Sequence, residues 1–104
     1  MKYEYDTETY LKQISSSNSY FNTFLSRDSL AAGILSLEPG GDDTQEPHDS
    51  DEMYYVLNGN GFLRINKIDY SIKPGKAFFV PKNVEHCFFG NTKKLTVLYF
   101  FGGS

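Results

Sequence analysis

Apolar and polar positions in this chain recur mostly at a spacing of two. Residues 20–25 alternate aromatic and polar side chains, and Leu30 to Leu37 is a largely apolar run that breaks at Glu38-Pro39-Gly40-Gly41. Met53 to Leu57 is rich in aromatic and β-branched residues and closes on Asn58-Gly59, a hairpin signal. Phe62 to Ile65 follows, Lys67 interrupts, and Tyr70 to Ile72 runs into the turn Lys73-Pro74-Gly75. Ala77 to Val80 stops at Pro81, His86 to Phe89 ends at Gly90-Asn91, and Leu95 to Phe101 precedes a loose tail, Gly102-Gly103-Ser104. This spacing predicts about nine short antiparallel strands, with turns about every eight to twelve residues, in a sandwich or barrel. Residues 6–17 alone carry a helical pattern. Tyr10, Leu11 and Ile14 share one face there, and Asp6 can cap the first turn. The expected fold class is therefore all-β with a short N-terminal helix.

Length adds a constraint. The 104 residues show no linker or repeat, so one domain over 1–104 is expected. A chain this short buries a modest core, which a closed barrel or a dimer interface would supplement. The net charge of −3 leaves no basic footprint, so no nucleic-acid partner is expected. Lys93-Lys94 reads as a turn. No apolar run approaches the roughly 18 residues of a membrane span, so no membrane partner is expected either. The start, Met1 to Asp6, lacks the apolar stretch of a signal peptide, and the single Cys87 allows no intrachain disulfide. A cytoplasmic location is the expectation that follows.

The chemistry concentrates ahead of the Met53 run. In an extended segment, side chains two apart point to the same side. Glu46 and His48 then share a face, with Gln45 and Pro47 on the other. Asp49, Ser50 and Asp51 are turn formers that let the chain bend before Glu52. Glu52, Tyr54 and Val56 share one face of the next strand. A carboxylate entering an apolar space needs a partner, and a metal cation is an effective one. His86 opens a strand in which His86 and Phe88 alternate with Cys87 and Phe89. If Phe88 is core, His86 points inward and Cys87 away. Tyr54 should face the same cavity, where its hydroxyl could orient a ligand or donate a proton. Arg64 is a candidate clamp for a substrate carboxylate, with a surface position as the alternative. Phe88 is a candidate pocket wall.

These residues sit in a pattern that resembles the cupin superfamily. The family's first motif runs G, five residues, H-x-H, three or four residues, E, six residues, G; here Gly40 is followed after five residues by Glu46-Pro47-His48, after three by Glu52 and after six by Gly59. The second runs G, five residues, P-x-G, two residues, H, three residues, N; here it reads Gly75, Pro81-Lys82-Asn83, His86 and Gly90, with Asn91 one place on. Fifteen residues lie between Gly59 and Gly75, as in compact single-domain cupins. The resemblance implies a jelly-roll barrel of about six to nine strands with a metal in its mouth. It places His48, Glu52 and His86 in ligand positions, and Glu46 where the family has its first histidine. Asn83 replaces a family glycine and tolerates left-handed backbone.

Two imidazoles with one or two carboxylates suit a divalent transition metal, whether Fe, Mn, Ni, Zn or Co. If Glu46 stays out of the shell, the set is the facial triad of oxygen-using non-haem iron enzymes. If Glu46 coordinates, the site is more negative and suits a Lewis-acid role. The expected function is a metal-dependent enzyme on a small molecule, dioxygenase-like first and isomerase or lyase second. Tyr54 assists, and Glu46 binds the metal or acts as a base. The alternative is a non-catalytic binding or sensor module. The resemblance also implies a homodimer, built from the aromatic-rich segments 20–25 and 95–101.

Overall fold

A computed structural model describes residues 1–102; of the tail expected at Gly102-Gly103-Ser104, Gly102 pairs with Leu30 at the end of the last strand, and Gly103-Ser104 lie outside the described residues. Helix α1 spans Thr7–Ser15, and the Asp6 side chain accepts the Glu8 amide at its N-terminus. Eight strands follow: β1 Phe21–Ser26, β2 Leu30–Leu37, β3 Glu52–Asn58, β4 Gly61–Ile65, β5 Ile68–Ile72, β6 Ala77–Val80, β7 His86–Phe89 and β8 Leu95–Gly102. They form two antiparallel sheets, one ordered β1-β2-β8-β3-β6 and the other β5-β4-β7. Among the described residues eight strands form where about nine were expected. Residues 41–48 carry no regular structure, although Glu46 to His48 was read as extended.

One core joins the sheets. Leu35, Leu37, Tyr54, Val56, Val80, Leu95, Val97 and Tyr99 come from the larger sheet; Leu63, Ile72 and Phe88 come from the smaller. Val56, Leu63 and Val97 are fully buried; burial of such a side chain contributes about 1.5–3 kcal/mol. Leu35 points into this core, while Ala32 and Ile34 point the other way and are also buried, because α1 packs against β1 and β2. That double burial explains why β2 reads as a continuous apolar run.

The turns correct one expectation. Asn58-Gly59 does not close a hairpin, since β3 and β4 lie in different sheets. Gly59 has φ 106°, and a Cβ there would stand 2.7 Å from Leu95 Cα and from the Lys94 carbonyl. The glycine is required by this close passage against the start of β8. The hairpin instead joins β4 to β5 at Asn66-Lys67, both left-handed (φ 49° and 71°), flanked by the Ile65–Ile68 pair. Two consecutive positive φ values are the geometry of a type I′ turn, which matches the strand twist.

Candidate metal centre

Three side chains converge on the core's open end from three different segments. Glu52 begins β3 between Val80 of β6 and Phe101 of β8, and shares the inward face with Tyr54 and Val56. His86 begins β7 opposite Ile65, and shares the inward face with Phe88. His48 comes from the loop before β3. Its carbonyl accepts the Asn83 amide at 2.6 Å, and Asn83 sits at φ 64°. A left-handed residue just before β7 thus ties the His48 loop to the strand that carries His86. Phe101 meets the His48 ring edge-on, with centroids 4.8 Å apart.

His48, Glu52 and His86 each place one ligand atom within 4.8 Å of the others. His86 Nε2 lies 3.4 Å from Glu52 Oε1, and His48 Nε2 lies 3.8 Å from the same oxygen. Glu52 and His86 are buried. Their facing atoms, Oε1 and Nε2, have no hydrogen-bond partner. The tautomer of His86 explains why. Its Nδ1 lies 3.0 Å from the Val84 carbonyl, which can only accept, so Nδ1 carries the proton. In the neutral ring Nε2 then presents a lone pair to a carboxylate oxygen. Two acceptors at this distance call for a cation between them, either a proton or a metal ion. Burial alone lowers the His86 pKa, but the Glu52 carboxylate and the Val84 carbonyl outweigh it and raise the value above 6.5. The donor chemistry of the cluster fits a divalent transition metal.

A cavity of about 270 Å³ opens beside the cluster, walled by Leu35, Tyr54, Tyr99 and Phe101 among others. Burial raises the Tyr54 pKa far above the ordinary phenol value, and the Glu52 charge adds to it, so its hydroxyl stays protonated. That hydroxyl donates to the Gln45 side-chain oxygen at 3.2 Å.

The other expected site residues lie elsewhere. Glu46 is exposed at the cavity rim and stands outside the metal-ligating cluster. The alternation that would turn it inward needs an extended segment, and this loop is not one. Gln45, expected to face away, turns in and bonds both Tyr54 and His48. Arg64 is exposed on the smaller sheet. It forks onto Asp69 at 2.7 and 3.1 Å and stacks over Phe89; it is not on the wall of the Tyr54 cavity but lines a second one with Gln45, Glu46 and His86. Phe88 is buried edge-on against Tyr54, supporting the wall from behind. Sequence reasoning missed Gln45 and Asp43. Their only signal was polarity in a loop, which says nothing about direction.

A family model of the cupin domain matches residues 33–101. An uncharacterized protein of Streptomyces coelicolor is 31% identical over 78 residues, covering 75% of this chain and 74% of that protein. The dimethylsulfoniopropionate lyase DddW of Ruegeria pomeroyi is 27% identical over 75 residues, covering 72% of this chain and 49% of the lyase. The match thus spans about half of that enzyme's length. The solved structure of the dimethylsulfoniopropionate lyase DddQ from Ruegeria pomeroyi has a TM-score of 0.74 at 20% identity, over 81% of this chain and 46% of that one, a likeness of fold.

Proposed function

The chain belongs to the cupin family, and from that premise we propose a metal-dependent enzyme acting on a small molecule with an apolar body. The observation that carries the reading is the pair of buried, unpartnered atoms, Glu52 Oε1 and His86 Nε2, with His48 Nε2 alongside. Such atoms cost stability when left facing each other, and a shared cation relieves both. The ion, when bound, supplies Lewis acidity and, for iron held by two histidines and a carboxylate, oxygen activation. Fe, Mn, Ni, Zn and Co all suit the donors.

The remaining roles belong to the chain's own residues. Tyr54 holds its proton and can donate it, or a hydrogen bond, to a bound molecule. Glu46 at the rim is placed to accept a proton from one. Leu35, Tyr99 and Phe101 exclude water from the inner wall. No Lys or Arg lines this cavity among the described residues, whereas Arg64 and Lys67 line a second one that also takes in Gln45, Glu46 and His86. An oxygen-using reaction leads because the donor set leaves positions for substrate and O₂. A lyase is the second reading, supported by the likeness to DddW. The test is turnover of candidate substrates by protein stripped of metal and then reloaded with single metals, with O₂ uptake recorded. Full turnover without metal overturns the reading; ligand binding without turnover under any metal points to a sensor.

We also propose that the two sheets are halves of a jelly-roll barrel, and that a second copy covers the outer face of β6, β3 and β8. Phe79, Met53 and Phe100 lie side by side across those strands, 53%, 42% and 36% exposed. α1 packs against β1 and β2 and leaves this apolar row uncovered. No helix among the described residues is long and apolar enough to cross a membrane.

A further inference from the structure

We propose that the side-chain oxygen of Gln45 is a fourth donor to the ion held by His48, Glu52 and His86. This rests on the metal reading above and replaces Glu46 in the expected ligand set. Gln45 Oε1 lies 3.0 Å from His48 Nε2. Two donors bound to one ion at about 2.0–2.2 Å, at right angles to each other, stand about 3 Å apart. Gln45, His48 and Glu52 line the same cavity.

The amide's direction is set by its neighbours. Gln45 Nε2 donates to Asp43 Oδ2 at 3.0 Å. An ionised carboxylate only accepts, so the nitrogen must face Asp43 and the oxygen must face the site. Asp43 is itself held in place: it accepts the Tyr20 hydroxyl at 2.8 Å, the Phe88 amide at 2.8 Å and the Gln45 amide at 3.3 Å. Of the two lone pairs on Gln45 Oε1, one takes the Tyr54 hydroxyl and the other points to His48 Nε2. Without an ion, His48 donates its Nε2 proton to that oxygen. An ion would take His48 in its other neutral tautomer, with the proton on Nδ1 and the Nε2 lone pair free, while Gln45 Oε1 would offer the ion the lone pair that had accepted from His48. The Gln45 side is preorganised, because its contacts with Asp43 and Tyr54 stay as they are.

The chemical consequence is charge. One carboxylate and three neutral donors leave a divalent ion with a net charge of +1 at the site. With Glu46 as a ligand the site would be neutral. The Gln45 set therefore favours a substrate that brings an anionic or strongly polarised oxygen to the ion.

The test uses Co(II) alone on the full chain, with dissociation constant, stoichiometry and visible absorption recorded for wild type, Gln45→Leu, Gln45→Glu and Glu46→Gln. Gln45→Leu is expected to weaken binding about 10- to 100-fold, as removal of a supporting donor does, and to change the Co(II) absorption. Gln45→Glu should restore affinity with a shifted spectrum, and Glu46→Gln should match wild type in both. If Gln45→Leu fails to fold, Gln45→Asn, which draws the oxygen back by one carbon, must show the same spectral change. An unchanged spectrum with weaker binding would mean that Gln45 only orients His48, and overturns the proposal. Loss of the spectrum in Glu46→Gln overturns it as well. If wild type takes up no ion, the metal reading fails together with it, a result distinct from a wild type that binds and a Gln45→Leu that binds equally.

Discussion

His86 Nε2 and Glu52 Oε1 face each other at 3.4 Å inside the protein, and neither atom has a hydrogen bond. Glu52→Gln should therefore act in opposite directions on the two forms. In the metal-free protein the new amide can donate to His86 Nε2, so the melting temperature should hold or rise. In the loaded protein the loss of the carboxylate should abolish most of the metal's stabilisation. Melting curves with chelator and with added metal measure both. A variant that binds metal as wild type does would contradict the assignment.

The same contact makes the metal-free protein sensitive to pH. The His86 pKa is raised above 6.5 in the folded state, since the contacts with Glu52 and Val84 outweigh the lowering effect of burial. Its contribution to stability is then fully present below the unfolded value and is lost as pH rises through the folded one. With chelator present, wild type should lose stability as pH rises above the ordinary histidine range, and His86→Asn should lose less. Metal affinity should run the other way and strengthen with pH, because binding displaces a proton. Titration calorimetry at two pH values checks that direction.

Tyr54 offers a separable role. Tyr54→Phe keeps the ring against Phe88 and removes the hydroxyl that donates to Gln45. Folding stability should fall by about 1 kcal/mol. If the hydroxyl donates a proton in the reaction, turnover should fall about 10²-fold or more while metal content stays at wild-type level. Steady-state rates beside elemental analysis distinguish this from simple loss of the ion.

Gly33 shapes the cavity. It lies opposite Tyr99 across β2 and β8, and a Cβ there would collide with the Tyr99 ring and stand 2.6 Å from the Asn22 carbonyl. Tyr99 uses this space to bring its hydroxyl within 2.6 Å of Thr23 Oγ1. Gly33→Ala should push the ring into the cavity and cost about 1–3 kcal/mol. Chemical denaturation and ligand affinity would both register it.

The exposed row of Phe79, Met53 and Phe100 predicts self-association. Light scattering should give twice the chain mass for wild type. Met53→Asp at the centre of the row should shift it to monomer with metal binding retained, because Met53 points away from Glu52 and Tyr54. A monomeric wild type would rule out the proposed partner.

Much of the fold was legible because strands declare themselves by period. Leu30–Leu37, Ala77–Val80 and His86–Phe89 form with the limits their patterns predict. Alternation pairs Glu52 with Tyr54 in β3 and His86 with Phe88 in β7, and burial shows that these are the inward faces. The turn positions were legible too, since Gly40, Gly59, Gly75, Gly90 and Asn83 all take positive φ. What a turn connects was not. Asn58-Gly59 looks like a hairpin and is a crossing between sheets, while Asn66-Lys67 is the hairpin. Turn chemistry specifies backbone angles, whereas sheet membership depends on which distant strand supplies the hydrogen bonds.

The candidate site divides along the same line. By itself the sequence determined that Glu52 shares a face with Tyr54 and His86 with Phe88, because pleating leaves a strand residue only two directions; His48 was placed beside them by the cupin motif spacing. Only the tertiary structure turned Gln45 inward and left Glu46 at the rim. A loop has no period, and its side chains point where remote partners hold them. Here those partners are Asp43 and Tyr54 around Gln45, and Asn83 at the His48 carbonyl. Tertiary structure likewise decided that Arg64 belongs to Asp69 at the surface, since the nearest opposite charge across a hairpin is set by strand register.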